Sequence, residues 1–193
     1  MGRKKNFIEE EILDKAIVLF QQKGYNATSP EELVKYLGIS RSSLYATFGD
    51  KRGLLIKSLQ YYVKLTADSV NKVTENNNDP IRGIEEIFNI AIEGCYHPGM
   101  PNGCFLVNSI IEFGSEDTQA LELIRQSYQN CLDALSHFLI LIKKDNPESK
   151  NLDIETTVDY LMNTISGIVV STKAGMDEKS CRKMVDKTLS ILK

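Results

Sequence analysis

Tryptophan is absent from this 193-residue chain, histidine occurs twice and proline five times. Two histidines, His97 and His137, leave little from which to build a catalytic base or a zinc ligand set. No HExxH, no GxSxG and no phosphate-cradling glycine loop is present, so an enzyme is the reading the residues support least. Glu9-Glu10-Glu11 and Glu85-Glu86 read as solvated helix faces, and neither a metal nor a cofactor is expected. The four cysteines, Cys95, Cys104, Cys131 and Cys181, are widely spaced and form no CxxC pair, which favours reduced thiols in a cytoplasm over a disulfide framework. Long apolar runs are missing too. The charge-free stretch 94–111 contains Pro98, Gly99, Pro101, Asn102 and Gly103 and cannot form a membrane helix. The basic start Arg3-Lys4-Lys5 runs at once into three glutamates, which leaves no apolar signal-peptide core. Positive charge is scarce overall, with 23 Lys and Arg against 26 Asp and Glu for a net −3. Averaged over the chain, that balance speaks against a polyanion partner.

What is present is a globular, helical pattern, with 42% apolar and 25% charged residues. Apolar residues recur at helical spacing nearly throughout, and no alternating β-branched stretch is bounded by turn signals. The pattern predicts an all-α protein of nine helices. The first spans 7–23 and ends at Gly24. The second opens on Thr28-Ser29-Pro30-Glu31-Glu32 and stops at Gly38. The rest fall at about 41–48, 51–75, 81–96, 103–113, 116–144, 154–174 and 178–192. Charge is divided unevenly along this string. Residues 1–57 hold ten Lys and Arg against seven Asp and Glu, a net +3, and residues 58–193 hold thirteen against nineteen, a net −6. A mildly basic head therefore precedes an acidic body.

The head carries the sharpest signal. Two helices of about eight residues are joined by Gly38-Ile39-Ser40, a spacing that suits a helix-turn-helix whose second helix enters the major groove. Leu44 and Phe48 face the core, which leaves Arg41, Ser42, Ser43, Tyr45, Ala46 and Thr47 on or near the open side. Arg41 can grip a guanine edge with two hydrogen bonds, the hydroxyls reach bases or phosphates, and Ala46 can touch a thymine methyl. Thr28, Ser29 and Lys51 stand at helix N-termini that suit phosphate oxygens, and the Arg3-Lys4-Lys5 arm adds three charges for a groove or the backbone.

These residues lie within strings that resemble a known family. Ala16-Ile17-Val18-Leu19-Phe20, Lys23-Gly24-Tyr25-Asn26-Ala27-Thr28-Ser29, Leu37-Gly38-Ile39-Ser40 and Ser43-Leu44-Tyr45-Ala46-Thr47-Phe48-Gly49-Asp50-Lys51 occur in order and at family spacing. Together they resemble the DNA-binding region of the TetR family of bacterial transcriptional regulators. The resemblance implies a helix-turn-helix domain over 1–52 and an effector-binding and dimerisation domain over 53–193. It also implies that Tyr45 and Lys51 touch phosphates and that Thr28 caps the second helix. Many relatives carry His where this chain has Thr47, so a contact made by that imidazole is in doubt here.

The body has no comparably close motif. Leu161, Ile165, Ile168 and Thr172 recur at helical spacing, and the last helix offers Cys181, Met184, Val185, Thr188 and Leu192. This apolar pair either closes the chain's own core or meets the same surface of a second copy, and the resemblance favours the homodimer. The middle helices supply candidates for an effector pocket: Phe88, Ile92, Cys104, Phe105, Ile110, Tyr128, Leu132 and Tyr160. Gly103-Cys104-Phe105 resembles the Gly-Cys-aliphatic start of the sixth helix in one subgroup of the family. Cys104 in a first turn is a candidate thiol sensor, although a small packed thiol is the plainer reading. The expected function is a cytoplasmic repressor that binds a palindromic double-stranded operator as a homodimer and is released by a small-molecule effector. The alternatives are a Cys104-based oxidant or electrophile sensor and a helical interaction adaptor without DNA binding.

Overall fold

The structure is a computed structural model that describes residues 8–97, 99, 101, 103–113, 117–145 and 151–192. The Arg3-Lys4-Lys5 arm lies outside the described residues. Within them every regular element is helical: α1 (Glu9–Lys23), α2 (Pro30–Leu37), α3 (Arg41–Phe48), α4 (Lys51–Asn76), α5 (Pro80–Tyr96), α6 (Phe105–Phe113), α7 (Thr118–Asp145), α8 (Ile154–Lys173) and α9 (Glu178–Leu189), followed by a short 3-10 turn at Ser190–Leu192. No helix among them is long and apolar enough to cross a membrane. Short polar side chains start most helices by accepting orphan N–H groups: Ser29, Ser40, Asp50, Asp79, Asp153 and Asp177 each do so. The sixth helix begins two residues later than the periodicity suggests, because the Cys104 carbonyl accepts its first bond, from the Asn108 N–H at 3.0 Å.

Two cores form. The first gathers α1, α2, α3 and the start of α4 around Ala16, Phe20, Leu33, Leu37, Leu44 and Leu54, and it also takes in Phe105, Ala120 and Ile124 from α6 and α7. The second joins α5, α7, α8 and α9 around Ile84, Phe88, Leu135, Phe138, Leu161 and Cys181. Helix α4, with 26 residues and ~39 Å long at ~1.5 Å per residue, serves both cores. The expected boundary after residue 52 falls in its first turn, and Leu54, Leu55, Ile56 and Leu59 beyond that point still pack in the N-terminal core.

The surface expected for dimerisation needs correction. Leu161, Ile165, Ile168, Thr172, Cys181, Val185, Thr188 and Leu192 are all buried within the single chain, and of that set only Met184 is exposed, at 37%. The reason is geometric. The stripe of α8 and α9 that carries the longest apolar run faces α5 and α7, which the chain supplies itself. The outward stripe is a different set, including Tyr160, Val170, Met184 and Ile191.

Close approach of α5 and α7 depends on Gly83. A Cβ added there would lie 2.2 Å from Cζ of Phe138, a ring with no exposed surface. Gly83→Ala is expected to destabilise the fold by about 2 kcal/mol through overpacking. Thermal melting measures this, and a gain in melting temperature, as an unstrained helical Gly→Ala change would give, would contradict the packing.

Candidate nucleic-acid interface and internal cavity

The two helices of the head are set by local bonds. Ser29 Oγ accepts the Glu32 N–H at 3.2 Å, with Pro30 in the first turn of α2. Gly38 then turns the chain in the left-handed region at φ 69°, ψ 27°. Ser40 Oγ accepts the Ser43 N–H at 3.1 Å and lies 2.9 and 2.8 Å from the Ser42 and Ser43 hydroxyls. Leu44 and Phe48 are buried, and this fixes the rotation of α3. Arg41, Ser42, Tyr45 and Ala46 are thereby exposed, while Ser43 and Thr47 are half-buried. The Arg41 guanidinium rests 3.2 Å from Glu31 and 5.6 Å above the Tyr45 ring. Both partners are at the surface, so a phosphate or base edge can displace them at little cost.

Two residues of the expected set sit differently. Thr28 is buried, and its hydroxyl donates to the Gly24 carbonyl at 2.6 Å. It is Ser29 that caps α2 and stays exposed, so Thr28 acts inside the loop and offers DNA no hydroxyl. Lys51 is half-buried, with its ammonium 4.0 Å from the centroid of the Tyr25 ring. Burial lowers its pKa and the Glu112 carboxylate opposes that shift.

Glu112 is a residue the sequence reading missed. Its carboxylate accepts the N–H groups of Tyr25 at 2.8 Å and Asn26 at 2.6 Å, in the loop between α1 and α2. Helix α6 therefore presents two different stripes. Phe105 and Glu112, at i and i+7, turn toward the head, while Val107 and Ile110 line a cavity in the body. Further bonds close the same junction. Gln21 Nε2 donates to the Gly103 carbonyl at 3.3 Å, and Arg52 grips Asp117 through Nε at 2.9 Å and Nη2 at 3.0 Å. Arg52 holds the Asp117 carboxyl below its ordinary pKa, helped by the Ala120 N–H.

The cavity has a volume of about 160 Å³ and lies among α4, α5, α6, α7 and α8. Of the eight residues expected to line a pocket, Cys104, Ile110 and Tyr128 do so. Phe88, Ile92 and Phe105 are fully packed in the cores, and Leu132 lies against the body core. Tyr160 is 45% exposed and points outward, into a groove with Gly167 and Met184. Residues not singled out from sequence supply the polar part of the wall: Tyr62, Thr66, Ser127 and Asn130. Cys104, at the N-cap of α6 rather than in its first turn, has its Sγ 3.7 Å from the Tyr62 hydroxyl. Cys131, also on the wall, has its thiol pushed up to about 11 by burial.

A helix-turn-helix head with an outward-facing second helix, seated on a helical body with its own cavity, defines a class of DNA-binding regulator. Residues 12–57 match the family described as bacterial regulatory proteins, tetR family. Over all 193 residues of both chains the protein is 28% identical to the HTH-type transcriptional regulator YezE of Bacillus subtilis (strain 168). It is also 28% identical to the HTH-type transcriptional repressor BdcR of Escherichia coli (strain K12), across 90% of this chain and 83% of that one. In fold it matches the TetR family regulator CifR, a cysteine mutant complexed with 26-base-pair double-strand operator DNA, with a TM-score of 0.84, 20% identity and coverage of 97% and 98% of the two chains. The family match covers residues 12–57, and the likeness to CifR extends over nearly the whole chain in fold alone.

The Arg52–Asp117 bond has a pH signature. A carboxyl held below its ordinary pKa stabilises the folded state above that pKa and loses the effect as pH falls through its folded value. Thermal melting of the wild type and Asp117→Asn should therefore differ at pH 7, with the variant less stable, and converge as the pH falls below the ordinary carboxylate range. A difference that persists undiminished in acid would contradict the ion pair.

Proposed function

We propose that this protein is a transcriptional repressor that binds a palindromic double-stranded operator as a homodimer and lets go when a small molecule occupies the body cavity. The observation that carries the reading is the exposed face of α3, where Arg41, Ser42, Tyr45 and Ala46 project from a helix locked in rotation by Leu44 and Phe48. Arg41 reads a base edge, and Tyr45 and Lys51 hold phosphates on either side. The +3 head turns toward DNA, and the −6 body keeps its own surface away. Two heads one DNA turn apart require a second copy. Tyr160 and Val170 on α8, Met184 on α9 and Ile191 in the 3-10 turn are exposed apolar side chains that offer a surface for one. A cytoplasmic site of action follows from this role.

Two elements link the cavity to the head. Helix α4 starts beside α3 and passes the cavity at Tyr62, Thr66 and Val70. Helix α6 lines the cavity with Ile110 and holds the α1–α2 loop with Glu112, two residues further on. An effector releases DNA to the extent that it binds the non-DNA arrangement more tightly, and tenfold discrimination corresponds to about 1.4 kcal/mol. A second reading, release by modification of the Cys104 thiol, is favoured by the place of that thiol on the cavity wall at the start of α6. Cys104→Ser separates the two. A variant that no longer responds to a mild electrophile supports the thiol switch, and an unchanged response excludes Cys104 as the sensor.

The main test uses DNA selected by the protein from a random double-stranded pool. Arg41→Ala and Tyr45→Ala should each weaken binding by roughly tenfold to a hundredfold. Tyr45→Ala should act about equally on all sequences, and Arg41→Ala should relax the preference at one base position. Salt-insensitive binding that survives both changes would overturn the DNA reading. In sedimentation, Met184→Arg should convert dimer to monomer and weaken operator binding with it, and an unchanged dimer would exclude the outward stripe as the interface.

A further inference from the structure

Among the described residues, the cavity wall contains no Asp, Glu, Lys, Arg or His. Its titratable groups are tyrosines and cysteines, and burial raises the pKa of Tyr62, Tyr128 and Cys131, which favours their neutral forms. The cavity opens to solvent beside the exposed Ile110 and Tyr128, and a charged guest seated in its depth would give up water without gaining a counter-ion, which is costly. The walls from α5 and α8 are apolar, formed by Ile87, Ile90, Met162, Ile165 and Val169. The hydroxyl of Ser166 beside them is already committed to the Met162 carbonyl at 3.0 Å.

Polarity is concentrated along α4 and its neighbour α7. Tyr62 and Thr66 stand one turn apart on α4 and both face the cavity. The Thr66 hydroxyl donates to the carbonyls of Tyr62 and Val63, each at 3.0 Å, which leaves its oxygen as an acceptor for the Ser127 hydroxyl at 3.3 Å. The Tyr62 hydroxyl faces a thiol, Cys104 Sγ at 3.7 Å, and sulfur is a weak partner for a phenol. A ligand oxygen that accepted from Tyr62 would replace that weak bond with a strong one. The volume of about 160 Å³ sets the size. An apolar cavity of roughly 150 Å³ holds a benzene-sized guest.

We propose that the cavity binds a small uncharged molecule, an apolar body of about one ring carrying a hydroxyl or carbonyl oxygen set against the Tyr62 hydroxyl, and rejects anions and cations of the same shape. This deepens the effector reading of the cavity and rests on it. The polar oxygen gives orientation through Tyr62 on α4, and the apolar body fills the space beside Ile110 on α6, so one guest touches both elements that lead to the head.

The test is isothermal titration calorimetry on the full chain at pH 7 with benzyl alcohol, toluene, benzoate and benzylammonium, each also added to the protein–DNA complex. Benzyl alcohol should bind once per chain, and benzoate and benzylammonium at least about a hundredfold more weakly. Tyr62→Phe, checked for an unchanged melting temperature, should weaken benzyl alcohol by about fivefold to tenfold and leave toluene unaffected. A charged probe that binds as well as benzyl alcohol overturns the proposal. So does a panel in which nothing binds, or a Tyr62→Phe effect equal for toluene and benzyl alcohol. Benzyl alcohol that binds but leaves the DNA complex intact supports the ligand class and overturns the effector reading. DNA release by a charged probe alone does the reverse.

Discussion

Tyr25 and Asn26 stand past the end of the α1 ladder, and a carboxylate from 86 to 87 residues further along the chain accepts both of their N–H groups. Bonds to a charged acceptor in a part-exposed setting contribute about 1–2 kcal/mol each. Their direction matters more than their size. The α1–α2 loop leads into Ser29 and the capped start of α2, so the orientation of the helix-turn-helix depends on where α6 holds Glu112. Tyr25 also carries the Lys51 ammonium on its ring. One acidic side chain thus bears on both flanks of the recognition helix.

Helix α6 is short, nine residues, and has no freedom to satisfy its two stripes independently. Phe105 is buried in the head core, with its ring stacked at 6.5 Å from Phe20, while Ile110 lines the cavity. A guest that displaces Ile110 moves the backbone that carries Glu112. Packed cores yield by switching between discrete arrangements, so under the proposed effector release a small displacement at the cavity becomes a changed seating of the head. Helix α4 runs alongside as a stiff rod shared by both cores. The Arg52–Asp117 pair closes the other side of the same junction.

What could be read from sequence was local. Nine helices, the Ser40 cap, the Gly38 turn and the inward Leu44 and Phe48 follow from signals within a few residues, and the structure places them so among the described residues. The resemblance implies Thr28 as the cap of α2 and the structure gives that place to Ser29, because adjacent hydroxyls carry the same composition signal and only the loop geometry separates them. The pocket was largely illegible. Phe88 and Ile110 look alike in a periodic pattern, yet one fills a core and the other faces a void, and that depends on neighbours far along the chain. The same holds for α8, whose richest apolar stripe serves the chain's own core, leaving a sparser stripe outward. Glu112 gave no signal at all, since a lone glutamate near the end of a helix is ordinary until its partners appear.

Under the proposed effector release, occupancy of the cavity reaches the head through the grip of Glu112 on the α1–α2 loop. Amide hydrogen exchange at Tyr25 and Asn26 in the full chain measures that grip directly. Exchange should be slow in the free protein and at least about tenfold faster when the cavity is occupied by benzyl alcohol, with amides in the α7–α8 core unchanged. Release of DNA accompanied by unaltered protection of these two amides would contradict it.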